Sequence, residues 1–344
     1  MFKVELLTRD GAAIAFDAEP SENLLAAAER ANIYLPSSCR EGACGACRVT
    51  HASGDIELDA YSSAALSDAE RAAGGILLCR AHAHGDVALH APFDAASIGF
   101  APTPQRRATI VDIGPAGARA MRIVLQYEED PDFGRAAQFV AGQFAELEIP
   151  ESGIRRSYSL ANAPNWDGKL EFLIRLQPGG AFSTYLRERA SIGDALIVHG
   201  PKGQFTLDEA SLAPRWFVAG GTGLAPALSM LRHMAELADP CPARLFFGVN
   251  RVDELFALDA LEEIRAALPQ LAVTICVWAP ETPPETRWRG FAGTPAEALA
   301  QSLANASERP DIYVCGPPAL ITSVETVALA GGAGATYAER FLAA

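Results

Sequence analysis

"SSCREGACGACR", Ser37 to Arg48, places Cys39, Cys44 and Cys47 within nine residues, in the spacing C-x4-C-x2-C. The next cysteine along the chain is Cys79, in "GILLCRAH". A structural zinc site usually pairs two short knuckles, whereas here three candidate ligands share one loop and the fourth stands alone. Disulfides would leave one of seven cysteines over and give the glycines no role. The plant-type 2Fe–2S pattern, three cysteines at this spacing followed by a distant fourth, fits directly. Gly42, Ala43, Gly45 and Ala46 fit as well. A loop wrapped round a cluster must bring its amides close to sulfur, and bulky side chains would block that. Cys39, Cys44, Cys47 and Cys79 are the expected cluster ligands.

The flanks agree. "MFKVELLT" and "GAAIAFDAEP" read as a hairpin, "SENLLAAAERAN" as a Ser-capped amphipathic helix, and "CRVTHASGDIEL" as strand and turn. Mixed strands around one helix suit a β-grasp ferredoxin over residues 1–96. The Pro-containing "ASIGFAPTPQRR" reads as a linker, residues 97–106.

At 344 residues the chain has room for two or three domains. Hydrophobic content of 49% and charged content of 20% describe an ordinary globular protein. No apolar run approaches the ~20 residues of a membrane span, and "MFKVELLTRDG" is not a leader, so a cytoplasmic location is expected. A net charge of −14 argues against nucleic acid. Residues 1–98 hold 14 acidic and 7 basic side chains, half of that excess.

Six short strands follow the linker: "RATIVDIG", "RAMRIVLQY", "QFAELEI", "RRSYSLAN", "KLEFLIRL" and "DALIVHGP". Their spacing predicts an antiparallel barrel over residues 107–210, interrupted by one helix in "GAFSTYLRERA". "RRSYS" sends Arg156 and Tyr158 to one face of a strand. "PGGAFSTYL" is a glycine turn opening a helix, which offers free amides to an anion. Residues 211–344 alternate strand and helix. "RWFVAGGTGLAPALSMLRHMAEL" gives strand, glycine turn and helix, with G-x-G-x-x-P from Gly221 to Pro226 where a dinucleotide fingerprint has a third glycine. "ARLFFGVN", "LAVTICVW" and "PDIYVCGPP" complete a parallel, Rossmann-like sheet. Cys315 stands where a strand ends, a usual ligand position in such a sheet. Cys241 and Cys276 are read as buried core thiols, and His82, His84 and His90 as surface or strand residues. The whole is multidomain, α+β then α/β.

Read together, "SSCREGACGACR", "RRSYSLAN", "LEFLIRL", "FVAGGTGLAP", "YVCGPP" and "AERFL" make the chain resemble the reductase components of bacterial multicomponent monooxygenases, those of the methane monooxygenase type above all. The likeness covers essentially all 344 residues. It implies a ferredoxin domain, an FAD-binding barrel and an NAD(H)-binding domain. It assigns FAD to Arg156, Tyr158, Ser159, Ile174, Arg175, Gly180, Ser183 and Phe341. NADH falls to Gly221, Thr222, Gly223, Pro226, Cys315, Gly316 and Pro317, with Cys315 and Glu339 at the hydride-transfer site. Asp253 or Glu254, after the second strand, is placed to bond a ribose hydroxyl, although Arg251 beside them could take a 2′-phosphate. The implied partner is the hydroxylase of an oxygenase, docked through the acidic ferredoxin domain. A phenol hydroxylase or aromatic-ring dioxygenase would use the same chemistry, and a non-redox zinc module is the alternative of another class.

Overall fold

The computed structural model describes residues 1–63, 65–150, 152–278 and 290–340. The chain divides into two compact units, one ending at Thr103 and the other starting at Pro104.

The first unit contains β1 (Phe2–Leu7), β2 (Ala13–Ala18), α1 (Leu24–Arg30), β3 (Arg48–Ser53), β4 (Ile56–Leu58), α2 (Asp68–Ala72), β5 (Gly75–Leu77), β6 (Ala81–Ala83) and β7 (Val87–His90). Alternation in β1 buries Val4 and Leu6 and exposes Lys3 and Glu5, which fixes the face on which α1 lies. The sheet runs β2-β1-β7-β3-β5, with β1 and β7 parallel, while β4 and β6 form a separate ribbon. This is the β-grasp arrangement. The cap of α1 is Asn23 rather than the expected serine, its side chain accepting from the Ala26 amide at 2.9 Å.

The expected linker is shorter than its sequence suggests. Ile98 is buried in the first core, and Gly99 exchanges two backbone hydrogen bonds with Tyr34, at 2.8 and 3.0 Å. At its other end Arg106 already lies within a strand, its guanidinium 3.7 Å over the Tyr127 ring and bonded to the carbonyls of Gly134 and Ala136. Residues 100–104 are what remains between ordered elements.

The second unit opens with β8 (Gln105–Ala116), β9 (Ala120–Tyr127), β10 (Phe144–Ile149), β11 (Ile154–Ser159), β12 (Lys169–Arg175), α3 (Ala181–Glu188) and β13 (Ala195–Lys202). These six strands are antiparallel in the order β11-β10-β13-β8-β9-β12, and a bridge from Leu160 to Phe172 brings the two ends together as a barrel. Then come β14 (Arg215–Gly220), α4 (Leu224–Glu236), β15 (Ala243–Val249), α5 (Leu258–Ala267), β16 (Leu271–Val277), β17 (Phe291–Ala292), α6 (Pro295–Leu303), β18 (Asp311–Gly316), α7 (Pro318–Ala330) and β19 (Thr336–Arg340). All six of these strands are parallel, in the order β17-β16-β15-β14-β18-β19. The central strands are buried on both faces, hence the unbroken apolar runs in their sequences. Barrel and parallel sheet share one core: Ala116, Ala120, Ala141, Leu173 and Phe205 of the barrel pack with Leu228, Met230 and Phe247 beyond it. Among the described residues no helix is long and apolar enough to cross a membrane.

Candidate functional site

The 37–48 loop curls round its own thiols. The amides of Glu41 and Ala43 point at the Cys39 sulfur, at 3.5 and 3.3 Å, and those of Cys39 and Ala46 at the Cys44 sulfur, at 3.5 and 3.4 Å. Gly45 has φ +77°, and a Cβ there would sit 2.8 Å from the Ala65 carbonyl oxygen, so the loop closes only with glycine at that point. The thiols fall into two pairs. Cys47 Sγ lies 3.4 Å from Cys79 Sγ, and Cys44 hydrogen-bonds Cys39. The bond from Cys44 and the loop amides hold Cys39 down at about 5, while the same bond and burial push Cys44 up. Likewise the bond between Cys47 and Cys79 raises the first and lowers the second. Among the described residues no three metal-ligating side chains gather round one point. Thiols two by two, ringed by inward amides, suit two irons with two thiolates each.

His82 and His84 pair instead with Asp59 and Glu57, at 3.0 and 3.1 Å across the β4–β6 ribbon. Cys276 is a core residue, as expected. Cys241 is only half-buried, its thiol 3.2 Å from the Ala213 carbonyl, because it follows the turn at Asp239 rather than lying within a strand.

On β11, Tyr158 packs against Phe182 of α3 at 5.2 Å between ring centroids, and burial raises its phenol. Arg156 is exposed beside it. The turn into α3 follows: Gly180 occupies the N-cap with no side-chain cap, so the first-turn amides are open to an anion. Ser183 is already engaged, its hydroxyl accepting from the Gln177 amide at 2.9 Å, which shapes the turn. Ile174 is wholly buried in the barrel core, so of that pair only Arg175 reaches the surface.

The other face of β11 turns toward the parallel sheet. Ser159 donates a hydrogen bond to Glu339 on β19 at 3.1 Å. Glu339 is paired in register with Cys315 on β18, and Cys315 with Ala219 on β14. Burial pushes the Glu339 carboxyl up to about 8, and burial with that neighbour raises the Cys315 thiol. Tyr337, two residues before Glu339, stacks on Tyr313 at 4.8 Å and donates to Asp208 at 2.8 Å, which anchors the strand. Phe341 lies outside the described residues. A second group on this face escaped sequence reasoning. Glu146, buried on β10, holds both Arg155 and Lys202, whose charges outweigh its burial and keep the carboxyl low. Doubled arginine in "RRSYS" was the available signal.

β14 ends in a tight turn over Gly221, Thr222 and Gly223 into α4, with Pro226 buried in the first helical turn. A Cβ on Gly221 would meet nothing within 4 Å, so the turn faces open space. One on Gly223 would come within 2.3 Å of the Cys315 carbonyl oxygen. The glycine turn and the Cys315–Gly316–Pro317 segment therefore touch at the C-terminal edge of the sheet, where ligands of such sheets lie. Asp253 is half-exposed and paired with Arg251 at 3.1 Å. Glu254 is engaged elsewhere, by Arg119 at 3.3 Å. The cradle, the open amides and a carboxyl that burial raises to about 8 fit a flavin and a dinucleotide.

Comparison with known proteins finds three domain families along the chain. Residues 7–84 match the 2Fe-2S iron-sulfur cluster binding domain, 131–207 the oxidoreductase FAD-binding domain, and 217–326 the oxidoreductase NAD-binding domain. The chain is 38% identical to methane monooxygenase component C of Methylosinus trichosporium, over 80% of this chain and 81% of that one. It is 33% identical to the toluate 1,2-dioxygenase electron transfer component of Pseudomonas putida, over 99% and 98%. Among solved structures, a cytochrome P450 reductase of Amycolatopsis superposes with a TM-score of 0.75 at 28% identity, covering 99% of both chains.

Proposed function

This chain belongs to the family of reductase, or electron transfer, components of bacterial oxygenase systems, and we propose that it carries electrons from NADH to the hydroxylase of a multicomponent monooxygenase. FAD, when bound, supplies the step from hydride to single electrons that neither NADH nor an iron–sulfur cluster can make. In this reading Cys39, Cys44, Cys47 and Cys79 hold the cluster. Arg156, Tyr158, Arg175, Gly180 and Ser183 form the flavin site, with Phe341 assigned on resemblance alone. Gly221, Thr222, Gly223, Pro226, Gly316 and Pro317 receive the dinucleotide, and Asp253 takes its ribose. Ser159 orients Glu339, which keeps a proton beside the reacting atoms at neutral pH, and buried Cys315 excludes water there.

The observation that supports this most is the Ser159–Glu339 hydrogen bond, because it joins the expected flavin strand to the expected nicotinamide strand. The acidic balance of residues 1–98 supports docking through the ferredoxin unit. A second reading, service to an aromatic-ring dioxygenase, draws on the toluate relative matched along nearly its whole length.

The test is anaerobic titration of the purified chain with NADH. Bleaching of flavin and iron–sulfur absorbance together, with two irons per chain, is expected. A colourless, zinc-containing protein would end the reading. Electron delivery to purified monooxygenase and dioxygenase components then separates the two acceptors.

A further inference from the structure

The turn between β8 and β9 reaches out of the barrel and grips the segment at 251–255. The Ala118 amide donates to the Asp253 carbonyl at 2.8 Å, and the Arg119 guanidinium bonds the Glu254 carboxylate at 3.3 Å. Gly117, at φ +64°, lies so close that a Cβ would stand 2.6 Å from the Glu254 carbonyl oxygen. The grip is anchored at both ends. Ala116 and Ala120 sink into the shared core, where Val252 and Leu255 pack beside them. The Arg119 carbonyl also accepts the Leu176 amide at 2.9 Å, at the head of the glycine turn that precedes α3. One three-residue turn thus touches both the candidate flavin-phosphate turn and the candidate ribose loop.

Within that loop the two acids divide the work. Glu254 has a side chain 12% exposed and accepts from Arg119 and from the Asn250 amide at 3.3 Å. Asp253 is 54% exposed and faces outward beside Arg251. We propose that Gly117 and Arg119 are positioning residues for coenzyme selection: by fixing Glu254 they aim Asp253 at the ribose and set its place relative to the flavin turn. This rests on the assignment of 251–255 to the coenzyme ribose. Glu254 is then a tether and Asp253 the reader, which settles the choice between the two acids left open by their sequence.

Calorimetric titration of NAD+ and NADP+ into the FAD-loaded full chain tests this, alongside dye reduction by NADH. Arg119→Met is expected to weaken NAD+ about fivefold, the scale of one part-exposed charged hydrogen bond. It should narrow the preference over NADP+ and raise KM while kcat and FAD content hold. Arg119→Lys should restore most of the loss. Gly117→Ala should act in the same direction and more strongly. Glu254→Gln should match Arg119→Met, and the double variant should lose no more than either alone. Unchanged NAD+ affinity in Arg119→Met and Gly117→Ala, or additive losses in the double variant, would overturn the proposal. Asp253→Asn separates the two layers. If it weakens NAD+ while the turn variants bind normally, only the positioning role fails. If it leaves both coenzymes unaffected, the ribose assignment fails and takes this proposal with it.

Discussion

The cluster loop and the flavin–nucleotide site solve the same problem, holding a redox group, in opposite ways. In the cluster site proposed for the first unit the holding falls to four side chains of one kind, three of them within nine residues. In the site proposed for the second the work is spread over residues from Gly117 to Glu339, and much of it falls to backbone: amides at two helix starts and glycines that permit close approach. A concentrated site should fail abruptly on one substitution. A distributed site should degrade by degrees, each degree with its own signature.

The largest expected effect breaks the concentrated site. Cys79→Ser removes a ligand and should release iron, reducing delivery to the oxygenase to background while FAD content and dye reduction persist. Iron assays at two per chain in this variant would show that the ligand set is wrong.

Next is Glu339→Gln. A carboxyl raised to about 8 keeps its proton through neutral pH and loses it as pH rises past that point. A step that needs the protonated form should therefore be fast below pH 8 and slow above it. The glutamine variant should lose that inflection and slow flavin reduction by about 100-fold, the lower end for a positioned proton donor. Stopped-flow rates across pH check it, and an inflection that survives in the variant would assign it to another group.

Gly223→Ala should cost less. Its Cβ would press 2.3 Å from the Cys315 carbonyl oxygen, and relieving such a contact costs about 1–3 kcal/mol. The nicotinamide end should shift, raising KM for NADH with the cluster spectrum unaltered. Unchanged KM and unchanged melting temperature would mean that the turn relaxes freely. The smallest effect concerns docking: affinity of the ferredoxin unit for its oxygenase should fall severalfold between low and high salt. Salt-independent binding would leave its acids with solubility alone.

This contrast also explains what could be read from sequence. The 2Fe-2S domain was legible because thiolate chemistry shows in residue type and spacing. The barrel and the parallel sheet were legible because one needs short, regularly spaced strands and the other continuous apolar runs. Ser21 and Asn23 both suit a helix cap, and only the register of α1 selects Asn23. The linker looked longer because nothing local announces that Gly99 pairs with Tyr34, sixty-five residues away. Ile174 falls in a motif but points inward, since alternation along β12 is set by the barrel. Gly117 is one glycine among 29, and its contact with Glu254 is invisible until the chain folds.

Cys47 and Cys79 meet at 3.4 Å across 32 residues of chain. Iron bridging them would act as a covalent staple as well as an electron carrier. In the chain-entropy account, closing a loop of that length restricts the unfolded chain by about 4 kcal/mol, a large share of the ~5–15 kcal/mol that holds a typical domain together. The lifetime of the first unit would then track iron supply. Chains made without iron would open more often around residues 37–79 and be cleaved there sooner, so degradation would remove reductases that can take electrons from NADH but cannot pass them on.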